Sequence, residues 1–202
     1  MGRHREFDID EVLDAALGVF WQKGYEGATY SDLTRATGVE RPALYSAFGN
    51  KESLFMKALD RYYEYYLDFF PAAFEQTKSR DVAAHILFGT VDLNTRYPQH
   101  LGCLGVNGAL AASDEALSVQ MALVDAREKG LKSLRQRFEK AKKEGDLPLG
   151  TDCYSLAAFV CAVAHGIAVQ AKAGIGRNVL KSVAEHALSC WPSIEIRTSI
   201  SQ

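Results

Sequence analysis

Apolar residues return at intervals of three and four along almost the whole chain, and no stretch alternates for long with the two-residue period of a strand. The pattern predicts an all-α protein of about nine helices. The first, over 10–23, carries Val12, Leu13, Ala16, Leu17 and Phe20 on one face, and Gly24 is its expected stop. A short second helix spans 31–37, capped by Ser31 or Thr29 and ended by Gly38. The third covers 41–48 with Pro42 in its first turn, where a missing N–H costs nothing, and Gly49 and Asn50 then break the chain. Longer helices are expected over 51–74, 81–97, 101–112, 114–145, 151–173 and 178–191, and the polar tail 193–202 is expected to fray.

Residues 27–51 hold the most specific signal. Two short helices meet at a tight turn carrying Gly38, with Val39 as an apolar plug, while Leu33, Ala36, Leu44 and Phe48 are placed to pack the pair. This is the spacing of a helix-turn-helix, whose second helix enters the DNA major groove. The residues Gly38-Val39, Leu44-Tyr45, Phe48 and Lys51, preceded by Phe20, Gly24 and Tyr25, resemble the TetR family (TetR/AcrR type) of transcriptional regulators. The resemblance covers about residues 10–59. It implies an N-terminal three-helix helix-turn-helix DNA-binding domain, residues 1–50, and a C-terminal helical effector-binding and dimerisation domain, residues 51–202.

Carried over residue by residue, the resemblance sets Arg41, Pro42 and Ala43 at the exposed start of the recognition helix. There Arg41 is suited to guanine O6 and N7, and Pro42 and Ala43 to thymine methyl groups. Tyr45 and Lys51 are expected to grip phosphates, with Thr29, Tyr30 and Ser31 contacting the backbone at the start of the second helix. Arg3, His4 and Arg5 form a candidate basic arm. Ala47 stands where some relatives carry a larger, polar base reader.

Charge runs the other way. The chain has a net charge of −2, and residues 1–60 hold more acids than lysines and arginines. A DNA binder ordinarily shows a basic footprint. Asp8, Asp10, Glu11 and Asp14 favour the dipole at the start of the first helix, and Glu40 adjoins Arg41 at the reading end. Modest affinity for nonspecific DNA is the expected consequence. A hydrophobic fraction of 48% and a charged fraction of 24% are those of a soluble globular chain. With no signal peptide and no uninterrupted apolar run of roughly 20 residues, a cytoplasmic location and no membrane partner are expected. Cys103, Cys153, Cys161 and Cys190 form no CxxC pair, so reduced thiols, no metal and no cofactor are expected.

The fourth expected helix is dense in aromatic residues, and Tyr62 and Tyr66 are candidates to face a ligand pocket. In residues 101–110, Gly102, Gly105 and Gly108 follow no strand and make no dinucleotide motif; they allow a close helix contact. Cys103 lies near that helix's start, and its glycine-cysteine-leucine setting is similar to that of electrophile-sensing repressors in the family. It is a candidate sensor thiol, although a small buried hydrophobe is the favoured reading of such a cysteine. Cys161 and His165 stand one turn apart; a cavity lining or core pair is favoured over a two-ligand metal site. The eighth and ninth helices are apolar on two faces, one formed by Leu156, Phe159, Val160, Val163 and Ile167, the other by Ala157, Ala164, Ala168 and Ala171. The resemblance implies a homodimer through helices 8 and 9.

The reading is a ligand-responsive repressor, released from a double-stranded DNA operator by a small-molecule effector or electrophile, and not an enzyme. Two alternatives are a thiol-dependent enzyme using Cys103 or the Cys161/His165 pair, and a protein-interaction module built on the same helical domain.

Overall fold

Asp8 starts the first helix by accepting from the Asp10 and Glu11 amides at 2.7 and 3.3 Å. Its carboxylate thereby satisfies donors that a first helical turn leaves unpaired. The computed structural model describes residues 7–96, 102–108, 113 and 116–193, and every regular element among them is helical. In chain order these are α1 (Ile9–Gly27), α2 (Tyr30–Thr37), α3 (Arg41–Phe48), α4 (Lys51–Tyr66), α5 (Phe69–Ala73), α6 (Ser79–Arg96), α7 (Leu104–Gly108), α8 (Leu117–Lys143), α9 (Cys153–Lys172) and α10 (Arg177–Ser189).

Two boundaries differ from expectation for physical reasons. Gly24 does break α1, at φ 72° and ψ 177°, but another helical stretch resumes and runs on to Gly27. The expected helix over 51–74 is two helices, α4 and α5, parted at Leu67. Pro71 lies four residues beyond Leu67, so a continuous helix would lose the hydrogen bond to that carbonyl and meet the proline ring. Of the helix expected over 101–112, α7 is the described part. The candidate arm of Arg3, His4 and Arg5 lies outside the described residues.

The chain builds two cores. One gathers α1 to α4 around Leu17, Phe20, Leu33, Leu44, Phe48 and Phe55, and reaches Leu93, Leu104, Val119 and Leu123. Phe20 and Tyr25 both set rings edge-on to Phe55, at 5.1 and 5.3 Å. The second core packs α6, α8, α9 and α10 around Ile86, Leu134, Phe138, Val160, Ile167 and Leu180. On α9 the flat alanine face, Ala157, Ala164, Ala168 and Ala171, is the buried one, together with Val160 and Ile167. Phe159 and Val169 instead face outward, 42% and 50% exposed.

α4 belongs to both halves. Its first turn adjoins the helix-turn-helix, and Tyr62, about 16 Å further along at helical rise, is fully buried in the upper part. Arg61 on α4 clamps α1: Nη1 meets Asp10 at 3.0 Å, Nη2 meets Asp14 at 2.7 Å, and Nε also donates to Asp14.

Candidate nucleic-acid interface and effector cavity

α2 opens with a reciprocal cap. Thr29 Oγ1 accepts from the Asp32 amide at 3.1 Å, and Asp32 Oδ2 accepts from the Thr29 amide at 3.1 Å. Lys23 donates to the same carboxylate at 2.6 Å, and with Thr29 holds Asp32 well below the usual carboxylate range. At the other end Gly38 takes a left-handed conformation, φ 67° and ψ 9°, and its N–H bonds the Thr34 carbonyl. A side chain there would be strained, which is why the turn needs glycine. Val39, Leu33, Leu44 and Phe48 are buried between the helices; Ala36 is exposed and takes no part.

With α3 seated on that face, Arg41, Pro42 and Tyr45 are exposed and Ala43 is half-buried. The Arg41 guanidinium lies 3.9 Å above the Tyr30 ring, and its Nη2 donates to the Tyr45 hydroxyl at 3.0 Å. Tyr45 donates in turn to the Tyr30 hydroxyl at 2.6 Å. The hydrogen bonds with Tyr30 and with Arg41 lower the Tyr45 pKa from its ordinary value. Desolvation and the Tyr45 bond raise that of Tyr30. A cation stacked on one ring and tethered to another is held in place with other N–H groups still available. Beside it, Asn50 caps α4 by accepting from the Ser53 amide at 2.7 Å. Lys51 Nζ lies 4.7 Å over the Tyr25 ring. Tyr30 and Lys51 border one surface groove, so Tyr30, Arg41, Tyr45 and Lys51 form a continuous edge. Thr29 and Ser31 are exposed at its α2 end.

Several of the acids that argued against DNA are engaged within the protein. Asp8 caps α1, Asp10 and Asp14 hold Arg61, and Asp32 closes the α2 cap. Glu40 is exposed at the start of α3 and makes no capping bond.

Above this edge α4, α5, α6, α7, α8 and α9 line a cavity of about 700 Å³, within the range of ligand pockets. Tyr62, Cys103, Cys161 and His165 all line it, with Tyr63, Phe69, Leu93 and Leu131. Tyr66 does not: it sets its ring edge-on to Trp21 at 4.8 Å and borders a different groove, beside Tyr65 and Phe88. Burial pushes the Tyr63 hydroxyl up to about 12 and the Cys161 thiol up to about 11. Burial, then the Arg127 charge, push His165 down. At neutral pH these groups are uncharged. Cys103 is half-buried at the wall. The residue before it, Gly102, gives its carbonyl to the Trp21 indole N–H, joining the cavity wall to α1. Thr90, Asn94 and Arg127 also line the cavity. Nothing in their local spacing marks them, because the packing of α6 and α8 on α9 sets which side chains turn inward.

A helix-turn-helix with an exposed reading edge, under a helical domain enclosing a cavity, defines a DNA-binding transcriptional regulator. Residues 12–58 match the family model described as bacterial regulatory proteins, tetR family, and residues 86–187 match the tetracyclin repressor-like C-terminal domain. The chain belongs to the TetR family. It is 31% identical over 199 residues to the HTH-type transcriptional repressor ComR of Escherichia coli (strain K12), covering 96% of this chain and 93% of that one. Among solved structures it is similar to a cysteine mutant of the TetR family regulator CifR complexed with 26 bp operator DNA. That likeness has a TM-score of 0.88 at 38% identity, over 94% of this chain and 100% of the other. A TetR regulator from Rhodococcus sp. RHA1 is 37% identical with a TM-score of 0.60, over 92% and 100% of the two chains.

Proposed function

We propose that this chain is a cytoplasmic, dimeric repressor that leaves a pseudopalindromic operator when a small molecule enters the cavity. Residues 1–50 are the reading unit and residues 51–202 the effector and dimerisation unit. The observation that carries the reading is the pair of exposed side chains on α3, Arg41 and Tyr45, held by Tyr30 of α2, where a helix-turn-helix meets base edges. Arg41 reads guanine, and Pro42 and Ala43 touch thymine methyl groups. Tyr45 and Lys51 bind phosphates, and Thr29, Tyr30 and Ser31 bind the adjoining backbone. The repressor role of ComR and the operator complex of CifR support the same assignment.

Two copies join through α9 and α10, the last two helices. Phe159 and Val169 on α9 and Val179 and Val183 on α10 are 42%, 50%, 58% and 44% exposed, an apolar outward face that a second copy covers. The two recognition helices then lie about 34–36 Å apart, one turn of DNA. Release is a population shift: the effector binds the conformer that cannot span two half-sites more tightly. α4 carries the change, since Tyr62 lies at the cavity and Lys51 at the DNA edge of the same helix. Cys103 is the candidate thiol through which an electrophile acts on that wall.

Selection of purified protein against random duplex DNA tests the proposal. Enrichment of a two-fold pseudopalindrome, lost in Arg41→Ala, is the expected result. No enrichment at low salt overturns it.

A further inference from the structure

Among the described residues three buried side-chain polar atoms lack a hydrogen-bond partner: Tyr62 Oη, Asn94 Oδ1 and Arg137 Nη1. Arg137 lies elsewhere, donating from its other nitrogens to the carbonyls of Phe74, Gln76 and Thr77. Tyr62 and Asn94, which are 0% and 3% exposed, line the same cavity. Orphaned polar atoms in such burial are costly, and two on residues that line one cavity point to an occupant that satisfies both.

The bonding around Asn94 defines what it needs. Its Nδ2 donates to the Thr90 carbonyl at 2.8 Å, which fixes the orientation of the amide and leaves Oδ1 as the unused atom. Thr90 offers nothing in return, because its hydroxyl already donates to the Ile86 carbonyl at 2.8 Å. Oδ1 can only accept, so the occupant must donate. Tyr62 differs: its hydroxyl lies beside the Cys103 thiol and the Leu104 amide without a well-formed hydrogen bond to either, and is free to donate. Other walls are Leu67, Phe69, Ile86 and Leu93. The two charged side chains at the lining, Arg127 and Glu128, are opposite in sign and ask for no net charge.

We propose that the cavity takes an uncharged, largely apolar alcohol or phenol. Its hydroxyl donates to Asn94 Oδ1, and an oxygen of the same molecule accepts from the Tyr62 hydroxyl. Asn94 is the residue that selects a donor-bearing ligand over an equally apolar one without a donor. This rests on the cavity being the effector site.

Isothermal titration of the full-length protein with n-nonanol, methyl octyl ether and nonanoate tests it. The alcohol and the ether have the same heavy atoms, but only the alcohol can donate. The alcohol is expected to bind about tenfold tighter than the ether, and the carboxylate weakest, because the ether and the anion leave Asn94 Oδ1 without a donor. Asn94→Leu brings the alcohol-to-ether ratio to about one, while Asn94→Asp, which keeps an acceptor, retains the preference for the alcohol. Equal binding of alcohol and ether by the wild-type protein, or no binding of either, overturns the proposal without recourse to a variant. Tightest binding of nonanoate also overturns it, in favour of an anion gripped by Arg127. If the alcohol binds with the expected preference yet leaves operator affinity unchanged, the ligand class stands and the effector reading fails.

Discussion

The Tyr45 hydroxyl donates to the Tyr30 hydroxyl across 2.6 Å, and this bond ties the recognition helix to the start of α2 at the exposed edge. Tyr45→Phe removes that bond and the acceptor that tethers Arg41. Operator affinity is expected to fall about tenfold in fluorescence anisotropy, since a charge-assisted contact is lost with its orienting partner. The ring stays and the site is exposed, so stability in urea is expected to move by less than about 0.5 kcal/mol.

Gly89 on α6 packs against Phe69 so closely that an added Cβ falls 2.7 Å from the ring's Cγ. Gly89→Ala is expected to destabilise by about 1–3 kcal/mol in urea unfolding, because the ring must move into occupied space. Phe69 lines the cavity, so nonanol affinity falls with it. Gly18, exposed in α1 with nothing within 4 Å of its added Cβ, is the control. Gly18→Ala is expected to stabilise by about 0.5–1 kcal/mol.

His165 titrates below 6.5 because it is buried and faces Arg127. Between its depressed folded value and 6.5, the unfolded chain binds more protons than the folded one. Stability therefore falls as pH drops through about 6.5, and this contribution levels off below the folded value. His165→Gln lacks the term, so its urea midpoint is expected to fall less than wild type between about pH 7.5 and pH 5.5. Equal losses in the two proteins dispose of the assignment.

Val183→Glu puts a carboxylate on the outward face of α10 that pairs copies in the proposed dimer. Sedimentation is expected to show a monomer, and operator affinity to fall about a hundredfold or more as the two half-sites are no longer held together. A dimer with unchanged affinity moves the interface elsewhere.

Cys103 and Cys161 are both half-buried at the cavity wall, and burial raises Cys161 to about 11 and so starves it of thiolate. Mild alkylation followed by mass spectrometry is expected to label Cys103 well before Cys161. A Cys103 no faster than Cys161 removes it as a sensor.

The helix-turn-helix is legible because its determinants are local. Gly38, Val39 and the Leu33, Leu44 and Phe48 positions lie within one short stretch, and each acts on its immediate neighbours. The placement of the acids is not legible, for the opposite reason. Asp10 and Asp14 are engaged by Arg61, 51 and 47 residues away, a pairing that only the packing of α1 on α4 reveals. The break at Leu67 is hidden under a run of aromatic residues whose periodicity continues across it, although Pro71 is its visible cause. The cavity was only partly readable. Tyr62, Cys103, Cys161 and His165 carry chemistry that draws attention, and they meet there. Tyr66 sits one turn beyond Tyr62, but its ring is taken up by Trp21. Asn94, whose unpaired oxygen says most about the occupant, resembles any polar helix residue until its neighbours are known.

The position of Trp21 has an optical consequence. Its indole bonds the carbonyl beside Cys103 and sits edge-on between Tyr62 and Tyr66, each ring 4.8 Å away. The chain's other tryptophan, Trp191, packs against Phe138 in the second core. Of these neighbours Tyr62 also lines the cavity, so a molecule bound there would alter the surroundings of Trp21, while those of Trp191 lie apart from it. The protein thus carries a built-in fluorescent gauge, and filling of the cavity is expected to register as a change in colour or brightness without any dye attached.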